Sequence, residues 1–177
     1  MIADLVTATL RVATPLLFAS MGGVVSERSG VVNLALESYL LAGAFGTAAG
    51  TLATGSAVAG CGIGVAAATA VALLHGLVCT RTRADHVVAG VAVNLLVDAA
   101  PIAILVSTFH RKGATPPFAQ GTRDAVSAAA AFGSPLLWIA LVTVPLVAFV
   151  LSRTKVGLRL RAVGENPECA ESLGLPA

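Results

Sequence analysis

The chain has 177 residues, of which 56% are hydrophobic and only 11% are charged. Soluble domains carry about 25% charged residues, so this composition excludes a soluble globular domain, which would lack the polar material to cover its surface. The net charge of +2 is too small to indicate binding of nucleic acid. The composition therefore predicts an all-α fold, a polytopic bundle of transmembrane helices.

Five segments are long and apolar enough to cross a bilayer, which requires about 20 mainly apolar residues per helix. No Asp, Glu, Lys or Arg occurs between residues 38 and 80. As one helix that stretch would measure about 65 Å, roughly twice the hydrocarbon thickness, so it must hold two spans that turn at Thr54-Gly55-Ser56. Within a bundle covering residues 1–151, the predicted spans are 5–25, 31–53, 57–80, 86–109 and 134–151.

The basic residues between these spans predict the orientation of the chain. With the tail over residues 152–177 in the cytoplasm, seven basic residues lie inside and three outside. The odd number of spans then places the N-terminus outside. One alternative stays open, because the polar segment 26–33 could be a helix break within the membrane. The seven are Arg28, Arg81, Arg83, Arg153, Lys155, Arg159 and Arg161, and the three are Arg111, Lys112 and Arg123.

Glycine spacing suggests how the second and third spans pack. Gly46 and Gly50 form one pair separated by three residues, and Gly60 and Gly64 form another. Such pairs let helix backbones approach closely in membranes. The alternative is chance, since the chain has 18 glycines.

Polar side chains inside the spans are the candidate site. A charged group in the bilayer costs on the order of 3 kcal/mol, so such residues face other helices or a watered pathway. Glu37 lies one helical turn after Asn33, and Asp98 lies one turn after Asn94. Two interpretations remain open, namely interhelical hydrogen bonds that hold the bundle and a polar lining for a permeating solute. His75 is interpreted as a packed, hydrogen-bonded histidine, and no residue spacing is typical of a metal site.

The tail has a basic first half, is predicted to break at a glycine and then starts a second short helix. Asn followed by Pro is typical of a helix start, where Asn caps the helix and Pro occupies its first turn. Such a charged, capped segment is suited to docking another protein, whereas a simple anchor for anionic lipid would explain the arginines alone. The candidate contact residues are Gly157, Arg159, Arg161, Gly164, Glu165, Asn166 and Pro167.

Three blocks carry a family resemblance. The segment Gly30-Val-Val-Asn33-Leu-Ala-Leu-Glu37, preceded by Ser26-Glu27-Arg28-Ser29, resembles the signature of bacterial ABC-importer permeases of the nucleoside class. That class is related to ribose and branched-chain amino acid permeases. The stretch from Arg83 to Leu96 is similar to the second block of the family, and Thr154 to Gly174 is similar to its ATPase-contact loop. Ser38 stands where the resemblance predicts glycine, and Asp98 is unusual on its helix.

The resemblance implies a function for the whole chain. It implies a multi-pass permease of the bacterial inner membrane, paired with a second permease subunit, that imports a nucleoside or related sugar-like solute from an external binding protein. The solute pathway would include Asn33, Glu37, Asn94 and Asp98. Because family members are longer, the chain resembles a truncated permease.

The chain lacks a phosphate-binding loop, so ATP and Mg would be held by a partner ATPase subunit, and no enzyme activity or bound cofactor is expected of this chain. The alternative function is a secondary carrier or channel with Glu37 and Asp98 as ion or proton sites.

Overall fold

The computed structural model describes residues 2–81, 85–110, 113–117 and 135–174. In these ranges the protein is helical and contains no strand, which confirms the predicted all-α membrane fold. The basic residues Arg83, Arg111, Lys112 and Arg123 lie outside the described residues. The described helices are α1 (Ile2–Arg28), α2 (Leu36–Thr54), α3 (Ala57–Arg81), α4 (His86–Phe109), α5 (Pro135–Arg153), α6 (Lys155–Glu165) and α7 (Pro167–Ser172).

Among the described helices, four contain stretches that are long and apolar enough to cross a membrane. α2 covers the second predicted span but is not among them, because Glu37 and its glycines and threonines make it less apolar. It begins at Leu36, after the non-helical residues 31–34, rather than at residue 31. The count of five spans and the orientation therefore stay predictions. The four stretches are Leu5–Arg28, Ala57–Arg81, His86–Thr108 and Leu136–Arg153.

Helices α1, α5, α6 and α7 form one compact unit, which includes the chain up to residue 33. α5 packs against α1, and the two short helices of the tail follow directly from α5. α6 contacts the ends of both α1 and α5, and α7 packs against α6. The tail is therefore seated on the ends of two long apolar helices.

Helices α2, α3 and α4 form the second unit, in which α2 packs chiefly against α3. Gly46 and Gly50 of α2 and Gly60 and Gly64 of α3 are all buried. A Cβ atom on Gly46 would lie 3.1 Å from the Gly64 Cα, and one on Gly50 would lie 3.2 Å from the Gly60 Cα. The two helices therefore meet backbone to backbone, which confirms the predicted glycine packing.

α4 completes the second unit. Asp85 caps its N-terminus, where the carboxylate accepts hydrogen bonds from the backbone N–H groups of Val87 and Val88 at 2.8 and 3.3 Å. On the face turned to α2, Val93 and Val97 form a buried apolar cluster with Ala35. This cluster holds the first turn of α2 against the middle of α4, where the candidate polar residues lie.

Candidate functional site

Asn94 holds the segment that leads into α2. Its side-chain amide donates a hydrogen bond to the backbone carbonyl of Leu34 at 2.9 Å, and its side-chain oxygen accepts one from the Ser38 hydroxyl. One turn earlier on α4, a Cβ atom on Gly90 would lie 3.0 Å from the Leu34 Cβ, so the backbones approach closely there. The Asn94 side chain therefore bridges the two ends of the first turn of α2.

Ser38 is the residue that sequence reasoning missed. Its side chain is only 1% exposed, and its hydroxyl meets Asn94 from across the helix interface. In the sequence it stands out only as a departure from the glycine that the resemblance predicts. The departure has a structural reason, since a glycine would leave the Asn94 side-chain oxygen without this donor. The signal available in the sequence was a serine directly after Glu37, one of the predicted polar residues.

A second polar contact joins α2 to α3. The Tyr39 hydroxyl lies 2.6 Å from the Nδ1 atom of His75, and the imidazole is only 3% exposed. This confirms His75 as a packed, hydrogen-bonded histidine. The Nε2 atom of His75 has no hydrogen-bond partner within the described part of the chain. Ser38 and Tyr39 are adjacent in sequence, and their hydroxyl groups link the start of α2 to α4 and to α3, respectively.

The other predicted pathway residues are placed differently. Glu37 and Asp98 are both exposed, and Asp98 lies one turn beyond Asn94 on α4. Asn33 is half-buried and belongs to the unit that contains α1. The structure therefore ties Asn94 to the first turn of α2, in which Glu37 lies, and the role of all four residues in solute passage stays a prediction.

As far as residue 174, the tail consists of two separately capped helices. The Thr154 hydroxyl accepts a hydrogen bond from the Gly157 N–H at 3.2 Å and caps α6. The Asn166 side chain accepts one from the Cys169 N–H at 3.0 Å, with Pro167 at the first position of α7, which confirms the predicted helix start. The predicted break at Gly164 is wrong, because α6 continues through it to Glu165 and ends where Asn166 becomes extended.

Gly157 and Gly164 lie where the tail meets other backbone. A Cβ atom on Gly157 would lie 2.5 Å from the Leu151 carbonyl oxygen, so α6 turns back closely on the end of α5. A Cβ atom on Gly164 would lie 2.8 Å from the Gly30 nitrogen. Gly164 is not among the residues with positive φ, so this close approach is what requires a glycine.

The charged residues of the tail differ in exposure. Arg159 and Glu165 are exposed, and Arg161 is half-buried with its Nε atom 3.4 Å from the Gly157 carbonyl. The tail thus has a backbone face that packs on its own unit and a charged face that is open.

The family of branched-chain amino acid transport system permease components matches residues 5–177. The chain belongs to this permease family. It is therefore a multi-pass membrane protein. Both the Asn94 contacts and the tail helices fall inside the matched range.

Three relatives of this permease are similar over nearly all of its length. A Haloferax volcanii protein, provisionally named the glucose ABC transporter permease TsgC13, is 36% identical over 98% of this chain and 55% of its own. The nucleoside ABC transporter permease NupC of Lactococcus lactis is 33% identical over 92% of this chain and 56% of its own. The guanosine ABC transporter permease NupQ of Bacillus subtilis is 33% identical, over 97% and 59% respectively.

The permease chain thus spans little more than half the length of the curated relatives it matches. No solved structure matches it.

Proposed function

We propose that this permease is the membrane subunit of an ATP-driven importer, and that its tail docks an ATPase subunit. The observation that carries the proposal is the tail itself. Two capped helices are seated by Gly157 and Gly164 on their own unit, and the charged groups of Arg159 and Glu165 remain exposed. A lipid anchor needs basic charge but does not need its backbone to pack closely on the protein. A docking segment must keep a fixed conformation while it binds another subunit.

The proposed solute is a nucleoside or a related sugar-like molecule. Relatives of this chain are named as permeases for a nucleoside, for guanosine and for glucose, which supports this class. Sugars and nucleosides both carry hydroxyl groups, and nucleosides also carry ring nitrogens, and these groups pair with carboxylates and amides. The proposed pathway residues are Asn33, Glu37, Asn94 and Asp98. Asn94 uses one N–H and one lone pair in the contacts described, so its amide keeps a second donor and acceptor for a solute.

The proposed assembly contains a second permease subunit, an ATPase subunit that holds ATP and Mg, and an external binding protein that delivers the solute. Its proposed location is the bacterial cell membrane. In this assembly the proposed ATPase-contact residues are Arg159, Arg161, Glu165, Asn166 and Pro167, and the proposed part of Gly157 and Gly164 is to hold the tail on its own unit. Charge on the open face of the tail would fix the register of docking more than its affinity.

Co-purification from cells that express the complete chain with the ATPase subunit tests the docking proposal. Arg159→Glu should reduce the recovered ATPase at low salt, and its difference from the unmodified chain should shrink as the salt concentration rises, because ions screen an exposed charge contact. Arg81→Glu is the matched control, since Arg81 is also exposed but ends α3 in the other unit. Equal ATPase recovery with both variants would contradict docking through the charged face of the tail.

Uptake into proteoliposomes tests the energy source and the solute class. The assembled complex should take up tritiated guanosine or labelled glucose only when ATP is supplied on the side of the ATPase. Uptake by the purified chain alone, driven by a proton gradient, would instead support the secondary carrier with Glu37 and Asp98 as proton sites. The chemical identity of the solute that an associated binding protein retains would narrow the class further.

A further inference from the structure

Gly164 of the tail lies directly on the turn that ends α1. A Cβ atom on Gly164 would lie 2.8 Å from the Gly30 nitrogen and 2.9 Å from the Ser29 carbonyl carbon, and nearer still to the Arg28 carbonyl oxygen. All three are backbone atoms, so none of them can rotate away as a side chain could. From the other side, a Cβ atom on Gly30 would lie 3.1 Å from the Gly164 Cα. The tail and the end of α1 therefore touch without intervening side chains.

The turn at the end of α1 is closed by a dense set of hydrogen bonds. The backbone N–H of Gly30 donates to the Glu27 carbonyl at 3.1 Å, and that of Val31 donates to the Ser26 carbonyl at 3.2 Å. The Ser26 hydroxyl in turn donates to the Val31 carbonyl at 3.0 Å. Gly30 adopts a left-handed φ of 87°, which completes the reversal. Because these hydrogen bonds join residues 26–31, we expect a displacement of Gly164 to move the whole turn together.

Two residues, Val32 and Asn33, separate the closed turn from Leu34. Leu34 is held on α4 by the Asn94 amide and by the close approach of Gly90. The three peptide steps from Val31 to Leu34 span at most about 11 Å when fully extended. A link this short limits how far the turn and Leu34 can move independently of each other.

We propose that the Gly30–Gly164 contact is the joint through which motion of the docked tail enters the solute pathway. The tail displaces the turn at Gly30, and Val32 and Asn33 carry that displacement to Leu34 and the Asn94 contact. Gly30 and Gly164 are then positioning residues, since neither touches the solute. The inference rests on the proposed function, because it needs an ATPase subunit that moves the tail.

Gly164→Ala in the complete importer tests the joint. Gly164 has helical backbone, so alanine is disfavoured only by the contact with the turn. The quantity to measure is uptake of tritiated guanosine or labelled glucose, whichever the unmodified complex transports, per ATP hydrolysed. We expect this ratio to fall on the order of tenfold, within the usual range of coupling between sites, while the ATPase still co-purifies. Gly22→Ala is the matched control, because Gly22 lies within α1 with nothing within 4 Å of the added methyl group.

A second variant keeps the test decisive if Gly164→Ala fails to assemble. Insertion of two glycines between Val32 and Asn33 lengthens the link without touching either of its ends. It should leave ATP hydrolysis in place and reduce uptake by a similar factor, whereas the same insertion after Gly55, in the exposed turn between α2 and α3, should not. Normal uptake per ATP with Gly164→Ala or with the Val32–Asn33 insertion would overturn the joint. Absence of any ATPase with the unmodified chain would instead overturn the proposed function.

Discussion

The hydroxyl of Ser38 donates a hydrogen bond to the side-chain oxygen of Asn94, and this contact joins α2 to α4 across 56 residues of sequence. The same asparagine donates to the Leu34 carbonyl, so one side chain satisfies polar groups at both ends of the first turn of α2. In an apolar bundle such groups have few alternative partners, so the pair fixes where α2 begins.

Ser38→Ala should destabilise the protein by about 1 kcal/mol, the scale of an interhelical hydrogen bond in a membrane. The loss arises because the Asn94 side-chain oxygen is left without its donor. Thermal unfolding in detergent would measure it, with Ser107→Ala as the control, since within the described residues the Ser107 hydroxyl bonds to Ile104 of its own helix. A double-mutant cycle with Asn94→Ala should show coupling between the two sites, and strict additivity would contradict the contact.

Gly64→Ala should separate α2 from α3 and cost about 1–3 kcal/mol, as overpacking does in a close-packed interior. The added methyl group would lie 2.6 Å from the Gly43 carbonyl oxygen and 2.9 Å from the Thr47 nitrogen, which are backbone atoms. Gly62→Ala, on the same helix with nothing within 4 Å, should be neutral or stabilising by up to about 1 kcal/mol because alanine is the better helix former. Equal thermal stabilities of the two variants would be inconsistent with the glycine contact.

Asn166→Ala should loosen α7, because the cap on the Cys169 N–H is lost, at a cost of about 1 kcal/mol. Hydrogen exchange at the amides of Cys169 and Ala170 would report the change directly. Asn166→Asp should preserve protection, since Asp caps helices as well as Asn does. If the Asp and Ala variants exchange at the same rate, the side-chain cap does not hold this helix.

Cysteine labelling should place positions 115 and 155 on opposite sides of the membrane, as the seven-to-three distribution of basic residues predicts. Thr115→Cys and Lys155→Cys would be made singly in a background without Cys61, Cys79 and Cys169. A membrane-impermeant reagent added from outside should label position 115 alone. Labelling of both positions from outside would reject the predicted orientation.

Several features of this permease could be predicted because the physical signal is local. Hydropathy averaged over about 20 residues predicts the apolar helices, since the bilayer imposes one length on every span. The Asn166-Pro167 helix start was predictable because its hydrogen bond closes within three residues. The spacing of Gly46 and Gly50 predicted a close helix contact, since every fourth residue returns to the same face.

The tertiary structure decided which distant groups meet. The sequence marked Asn94 as polar within a span, but it did not show that this side chain meets Ser38 and Leu34. It placed a helix break at Gly164, whereas that glycine lies in a continuous helix and is required by its approach to Gly30. Neither outcome follows from the neighbouring residues, because both depend on how helices more than 50 residues apart pack together. Local interactions determine which segments are helical. The packing of distant helices determines which groups Asn94 and Gly164 contact.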